Sequence, residues 1–244
     1  LKESKKDKIS KIFFNDKKEN FEDVMVENLG NNGLSDLKIK EMDKNYSIHK
    51  EEASLFLLNQ DGFDYIDIDP FGTPNPFLAA AVARISRKGI LAITATDTAA
   101  LTGTYAKVTK RKYWAKSLKN YTMHEVGLRI LIRKIQLQGI QFDKSLVPIL
   151  SYHKDHYFRI YFRSSKGKQR CDEIINQHRY FLYCNKCLNF KTSKFNKEEC
   201  NCGNSFDYAG PLWAGDLFDK GLISKMAKNN VYKNEQKFLN ILAN

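Results

Sequence analysis

The sequence predicts an α/β fold, with a parallel, doubly wound sheet followed by a smaller α+β domain built around clustered cysteines. Three observations predict it. Short apolar runs alternate with helical patterns from Ile9 to Ala95, as strands joined by crossover helices do. Acidic residues recur at or near the ends of those runs, at Asp16, Glu52, Asp69 and Asp97. Four of the five cysteines lie between positions 184 and 202.

Residues 9–14 form a short apolar run that ends in Asn15-Asp16, a pair able to cap the next helix. Phe21, Val24, Met25 and Leu29 then recur at helical spacing, and Gly30 supplies a stop. Tyr46–His49 reads as a weaker strand, 51–59 as a helix and Phe63–Ile68 as a buried strand. Residues 76–87 form an Ala-rich helix with Pro76 at its start. Residues 89–95 are another buried strand, leading into Thr96-Asp97-Thr98. Lys107, Lys110, Arg111, Lys112, Lys116 and Lys119 are interleaved with Tyr113 and Trp114, a basic and aromatic stretch able to follow a phosphate backbone and stack bases, or simply a solvated loop. Residues 121–138 read as an amphipathic helix containing His124 and Glu125. Strands at 140–152 and 157–162 follow, and the domain boundary is placed there, giving 1–139 and 140–244.

Composition narrows the partners. Lys and Arg number 40 against 28 Asp and Glu, a net charge of +12. Such a balance favours a polyanion, through phosphate neutralisation and counterion release. No apolar run approaches the roughly 20 residues that span a bilayer, so no membrane partner is expected. No obligate protein partner is evident either. The chain opens on Leu1-Lys2-Glu3 without Met and reads as a fragment.

In parallel α/β sheets, ligands bind beyond the carboxyl ends of the strands. Asp69-Pro70-Phe71-Gly72 falls at such an end. The turn offers a carboxylate, a rigid carbonyl and an aromatic face, a set suited to methylating an exocyclic amine on a nucleobase. A plain strand-ending turn uses the same residue types. Asp16 can take ribose hydroxyls or cap a helix. Glu52-Ala53 can read an adenine, or Glu52 can complement a helix dipole. Cys184-x2-Cys187-x12-Cys200-x-Cys202 has the pattern of paired zinc knuckles, a closed structural site of zinc-ribbon type. The second knuckle is one residue tighter than usual. Gly203 can help it turn, and His178 is the substitute ligand if it fails to close. Cys171 is left as a lone thiol. Clustered thiols in an odd total argue for a reducing, intracellular compartment.

With these residues in view, the chain resembles the tRNA guanine-26 N2-dimethyltransferase family. The resemblance rests on Asn15-Asp16, on Asp67-Ile68-Asp69-Pro70-Phe71-Gly72-Thr73-Pro74 and on Thr94-Ala95-Thr96-Asp97-Thr98-Ala99. It continues through Arg111-Lys112-Tyr113, the run from His124 to Leu131, Asp155-His156-Tyr157, the cysteine knuckle and the run from Ala209 to Gly215. It implies a Rossmann-like class I methyltransferase sheet, here N-terminally truncated, and a C-terminal tRNA-binding domain with its zinc cluster at 184–202. It implies S-adenosylmethionine as cofactor, structural Zn2+, and tRNA as substrate, methylated once or twice on guanine N2. Asp69, Pro70 and Phe71 are then catalytic. Asp16, Glu52, Ala53 and Asp69 face the cofactor, and Lys110, Arg111, Lys112 and Arg129 face RNA. The cofactor's glycine loop is expected upstream of Leu1. Glu52 stands where Asp is typical, Ala100 where Pro is, Thr102 where Cys is and Trp114 where Gly is. The segment between Gly30 and Tyr46 matches the family loosely. Two other readings stay open: an inactive tRNA-binding fragment, and a nucleic-acid methyltransferase acting on another base amine.

Overall fold

A computed structural model describes residues 9–32 and 46–243, which form two compact units dividing between Asp61 and Gly62. Residues 33–45, most of the loosely matched segment, lie outside the described residues.

In the first unit, β1 (Ile12–Asn15) pairs in parallel with β2 (Tyr46–His49). The helix α1 (Phe21–Asn31) follows β1, and α2 (Ala53–Leu58) follows β2. The Asn15-Asp16 pair does not cap α1, whose N-cap position is Asn20. Asn15 instead joins the strand ends. Its side-chain amide donates to the Glu51 carbonyl at 3.2 Å, and its carbonyl accepts from the Glu51 amide at 3.1 Å. The Phe56 ring from α2 packs against Phe13 and His49, burying the apolar face of the short helix.

In the second unit, β3 (Phe63–Ile68), β4 (Ile85–Ala95), β5 (Lys144–Lys154) and β6 (Tyr157–Lys166) form one sheet in the order β3-β4-β6-β5. The β3–β4 pair is parallel, as expected of alternating strands and helices. The other pairs are antiparallel, because β5 and β6 form a hairpin that turns at Asp155 with φ 47°. The expected boundary at 139/140 therefore runs through a single sheet.

Between β3 and β4, a 3-10 turn (Asn75–Phe77) leads into α3 (Leu78–Arg84). This helix stops earlier than predicted, because Ile85 already pairs with Phe63. The basic stretch is partly helical. Two helices, α4 (Thr98–Leu101) and α5 (Ala106–Tyr113), precede α6 (Met123–Ile140), whose apolar side packs over the sheet. At Gly139 a Cβ would come 2.6 Å from the Lys144 carbonyl, so α6 can turn into β5 this closely only with glycine there. Trp114, at a position where the resemblance leads one to expect glycine, ends α5 at φ 55°, a left-handed conformation that glycine adopts most readily.

A second sheet, in the order β8-β7-β9, contains β7 (His178–Tyr183), β8 (Phe190–Ser193) and β9 (Asp207–Trp213). The helix α7 (Lys168–Ile175) leads into it, and α8 (Lys220–Lys228) and α9 (Lys233–Ala243) pack on each other after it. Among the described residues, no helix is long and apolar enough to cross a membrane.

Candidate active site and metal centre

The strand β3 ends where Pro70, lacking an N–H, cannot extend the ladder. The chain then turns through Gly72 at φ 88°. The turn is clipped to the end of β4 in both directions. The Gly72 amide donates to the Thr96 hydroxyl at 2.6 Å, and the Thr96 amide donates to the Gly72 carbonyl at 2.9 Å. Asp69 is exposed at the head of this turn, and Phe71 presents 92% of its surface to solvent. The predicted catalytic residues thus project from a turn whose back is bonded to the sheet.

The two carboxylates of Asp67-Ile68-Asp69 differ in kind. Arg159 on β6 holds Asp67 in a fork, with N–O distances of 2.7 and 2.6 Å, and also donates to Thr94 at 2.7 Å. The Tyr65 hydroxyl donates to Asp67 at 3.0 Å. Burial, and then the Asp67 charge, push the Tyr65 pKa up, so this donor keeps its proton. Asp67 is a structural carboxylate, and Asp69 is the one presented outward.

Tyr113 was read as part of a surface able to stack bases, but its ring is wholly buried. Its hydroxyl lies 2.6 Å from an Asp97 carboxylate oxygen and 3.0 Å from the Thr73 hydroxyl. Lys112 is paired with the other Asp97 oxygen at 3.3 Å. The Asn75 side chain donates to the Lys112 carbonyl at 2.9 Å. Three stretches that carried the family resemblance, around Thr73, Asp97 and Tyr113, therefore meet at one point. Sequence reasoning assigned Thr73 no role and Tyr113 a different one, although both lie within those motifs.

Lys110 and Arg111 are exposed on α5, as an RNA contact requires. Arg129 is engaged within the chain. It pairs with Glu125 at 2.9 Å and donates to the Trp213 and Gly215 carbonyls at 3.0 and 2.8 Å. Its guanidinium ties α6 to the end of β9. Trp114 is half exposed, but the Lys134 ammonium sits 3.1 Å from its ring centre. His124 stacks on His153 with ring centres 4.1 Å apart.

In the first unit, Asp16 follows β1 and Glu52 immediately precedes α2, both just past the carboxyl ends of adjacent parallel strands. Asp16 accepts from the Lys18 amide at 3.0 Å. Glu52 is the N-cap of α2, accepting from the Leu55 amide at 2.8 Å. Hydrogen bonds from the Ser54 and Leu55 amides hold its pKa below the usual carboxylate range. Ala53 is the first residue of that helix. Two acidic residues at neighbouring strand ends suit the hydroxyl-rich end of a nucleoside cofactor.

The Sγ atoms of Cys184, Cys187, Cys200 and Cys202 all lie within 4.8 Å of one another. Two of the pairs, Cys187–Cys200 and Cys184–Cys202, are 3.4 and 3.6 Å apart. Tetrahedral zinc with bonds of about 2.3 Å separates its sulfurs by about 3.8 Å, so the four thiols fit that ion. The tight second knuckle does close, helped by Gly203 at φ 80°. His178 is not a ligand; its Nε2 lies 2.9 Å from the Gln136 side-chain oxygen. The Cys187 and Lys186 amides aimed at Cys184 pull its pKa down, and the Cys202 amide does the same for Cys200, both favouring thiolates.

A solved structure described as "Complex structure of Trm1 from Pyrococcus horikoshii with S-adenosyl-L-Methionine" superposes with a TM-score of 0.81 at 29% identity. It covers 96% of this chain and 65% of that one. The mixed α/β fold is thus that of a methyltransferase. More particularly, the chain belongs to the N2,N2-dimethylguanosine tRNA methyltransferase family, whose model matches residues 2–243. The tRNA (guanine(26)-N(2)/guanine(27)-N(2))-dimethyltransferase of Aquifex aeolicus is 41% identical over 219 residues, 87% of this chain and 54% of that protein. The tRNA (guanine(26)-N(2))-dimethyltransferase of Methanothermobacter thermautotrophicus is 43% identical over 184 residues, 73% of this chain and 48% of that protein. The chain spans about half the length of these curated relatives.

Proposed function

We propose that the protein to which these residues belong methylates the exocyclic N2 of guanine 26 in tRNA, once or twice. The observation that carries this reading is the outward-facing Asp69-Pro70-Phe71 turn, bonded to the end of β4, in a chain matched to the family over residues 2–243. S-adenosylmethionine supplies an electrophilic methyl group on a sulfonium. Asp16 is assigned to the ribose hydroxyls, and Glu52 and Ala53 to the adenine side.

Guanine N2 is a poor nucleophile because its lone pair is delocalised into the ring. The Asp69 carboxylate and the Pro70 carbonyl each accept an N–H from N2, which favours a more tetrahedral nitrogen with its lone pair directed at the methyl donor. Asp69 also takes the proton released as the N–C bond forms, directly or through water. Phe71 stacks on the extruded base, an interaction worth roughly 1–3 kcal/mol that offsets the few kcal/mol of unstacking. After one methyl is added a single N–H remains, and one of the two acceptors serves a second round.

Lys110 and Arg111 hold RNA phosphates, with Lys112 at the border between RNA and the Asp97 network. The region from 140 onward, with one structural Zn2+ on the four cysteines, holds the rest of the tRNA. Four reduced thiols and a tRNA substrate favour an intracellular compartment.

Nucleoside mass spectrometry of tRNA incubated with the full-length protein and S-adenosylmethionine tests this reading. The expected products are N2-methyl- and N2,N2-dimethylguanosine at position 26. Because the Aquifex relative is named for positions 26 and 27, both should be mapped. Absence of methylated guanine, or methylation of another base, sinks it.

A further inference from the structure

We propose that Tyr113 is a positioning residue for this reaction, tying the base-holding turn to the basic helix α5 through Thr73 and Asp97. The inference rests on the function proposed above.

Asp69 and Phe71 are exposed, and the chain that follows them runs directly into Thr73 and Asn75. Thr73 and Asn75, just beyond the turn, both reach the last turn of α5. Thr73 meets the Tyr113 hydroxyl at 3.0 Å, and Asn75 donates to the Lys112 carbonyl at 2.9 Å. The Tyr113 oxygen carries one proton. The charged Asp97 oxygen at 2.6 Å is the stronger acceptor and takes it. The phenolic oxygen is then left to accept from the Thr73 hydroxyl. Asp97, itself placed by the end of β4 and paired with Lys112, thus orients Tyr113, and Tyr113 orients Thr73. A wholly buried ring makes a rigid anchor, unlike an exposed side chain. The same helix carries Lys110 and Arg111 on its exposed side, so RNA held there is registered to the turn that holds the base.

The second methylation should feel a loosened turn most, because N2 then offers one N–H instead of two. Tyr113→Phe and Thr73→Val in the full-length protein test this, assayed for kcat, tRNA KM, the ratio of dimethyl to monomethyl product, and melting temperature. Each variant should lower kcat roughly 10- to 100-fold, the penalty for small misplacement of reacting groups, with tRNA KM little changed. Each should also lower the dimethyl-to-monomethyl ratio. The double variant should be no worse than the worse single one, because both remove the same link.

A Tyr113→Phe protein with wild-type kcat and product ratio overturns the proposal. So does Thr73→Val with wild-type kcat and product ratio, even where Tyr113→Phe is destabilised, since Tyr113 would then matter only for folding. If Tyr113→Phe fails to fold, Thr73→Val at the partly exposed turn carries the test. If the wild-type protein makes no methylguanosine at all, the proposed function has failed, a result distinguishable from failure of the link alone.

Discussion

The two chemically loaded regions of the second unit are held in opposite ways. The turn at residues 69–72 is fixed by partners far away in sequence: Thr96 for Gly72, Tyr113 for Thr73, and Arg159 for neighbouring Asp67. The cysteine centre is fixed by tight local turns. The Cys184 amide donates to the Asn189 carbonyl, and the Cys200 amide donates to the Asn204 carbonyl, both at 2.9 Å. One site is a product of the whole sheet, and the other is made by two short loops that a metal can join. Damage to the first should appear in the rate constants, and damage to the second in local folding.

The largest expected effect breaks the turn's chemistry while leaving its scaffold. Asp69 is exposed, so Asp69→Ala should not unfold the protein. In the full-length enzyme it should cut methyl transfer by about 10²–10⁴-fold, the usual worth of a positioned base. tRNA binding, measured by filter retention, should remain. Full activity in this variant removes the catalytic assignment.

The second effect tests whether the cysteine centre is a local module. Cys200→Ser should abolish one equivalent of zinc by metal analysis and open the region around 184–202 to proteases. Cys171→Ser should leave the zinc content unchanged, because Cys171 is not among the four clustered thiols. If Cys200→Ser also abolishes the β3–β6 sheet, the two regions are not separable in the way their bonding implies.

This difference in bonding also decided what was legible in the sequence. The four cysteines could be read from spacing alone, because knuckle geometry is encoded within a few residues. The alternation that predicted β3, α3 and β4 was legible for the same reason: periodicity is local. The β5–β6 hairpin showed as two strands, but its antiparallel place beside β4 did not, since pairing across a sheet leaves no local mark. Arg129 looked like a surface cation because the carbonyls that hold it belong to residues more than eighty positions away. Tyr113 looked like an exposed aromatic among lysines, and only the fold shows it turned inward onto Asp97 and Thr73. Trp114 was visible as an anomaly, a tryptophan where glycine is usual, but its left-handed backbone was not.

A smaller effect concerns where β7 belongs. Its first residue, His178, faces Gln136 of α6, and its far end leads into Cys184. The Gln136 amide group donates to the Leu146 carbonyl, which leaves its oxygen to accept from the Nε2–H of His178. Burial, and then Arg133 and Arg179, push the His178 pKa down to about 4. The unfolded chain, with an ordinary histidine near 6.5, binds more protons between those values. Stability should therefore be fully present above about pH 6.5 and fall as the pH drops toward about 4. His178→Gln keeps an N–H donor and cannot titrate, so its melting temperature should fall less over this window. Equal acid sensitivity in the two proteins would mean that the α6 end of β7 does not contribute to acid unfolding.

The smallest effect separates neighbours on α5. Lys110 is exposed, while Lys112 is paired with Asp97 behind the turn. Lys110→Ala should weaken tRNA binding by removing a phosphate contact and reduce the slope of log affinity against log salt by about 0.7–1. Lys112→Ala should change the slope less and lower kcat instead, because Asp97 loses the cation that helps place it against Tyr113. Binding measured across a salt series, together with single-turnover rates, distinguishes the two. If the lysines behave alike, α5 is only an electrostatic surface and the contrast between the two regions loses its link to catalysis. If they divide as expected, one short helix carries RNA on its outer side and sets the base-holding turn with its last residues.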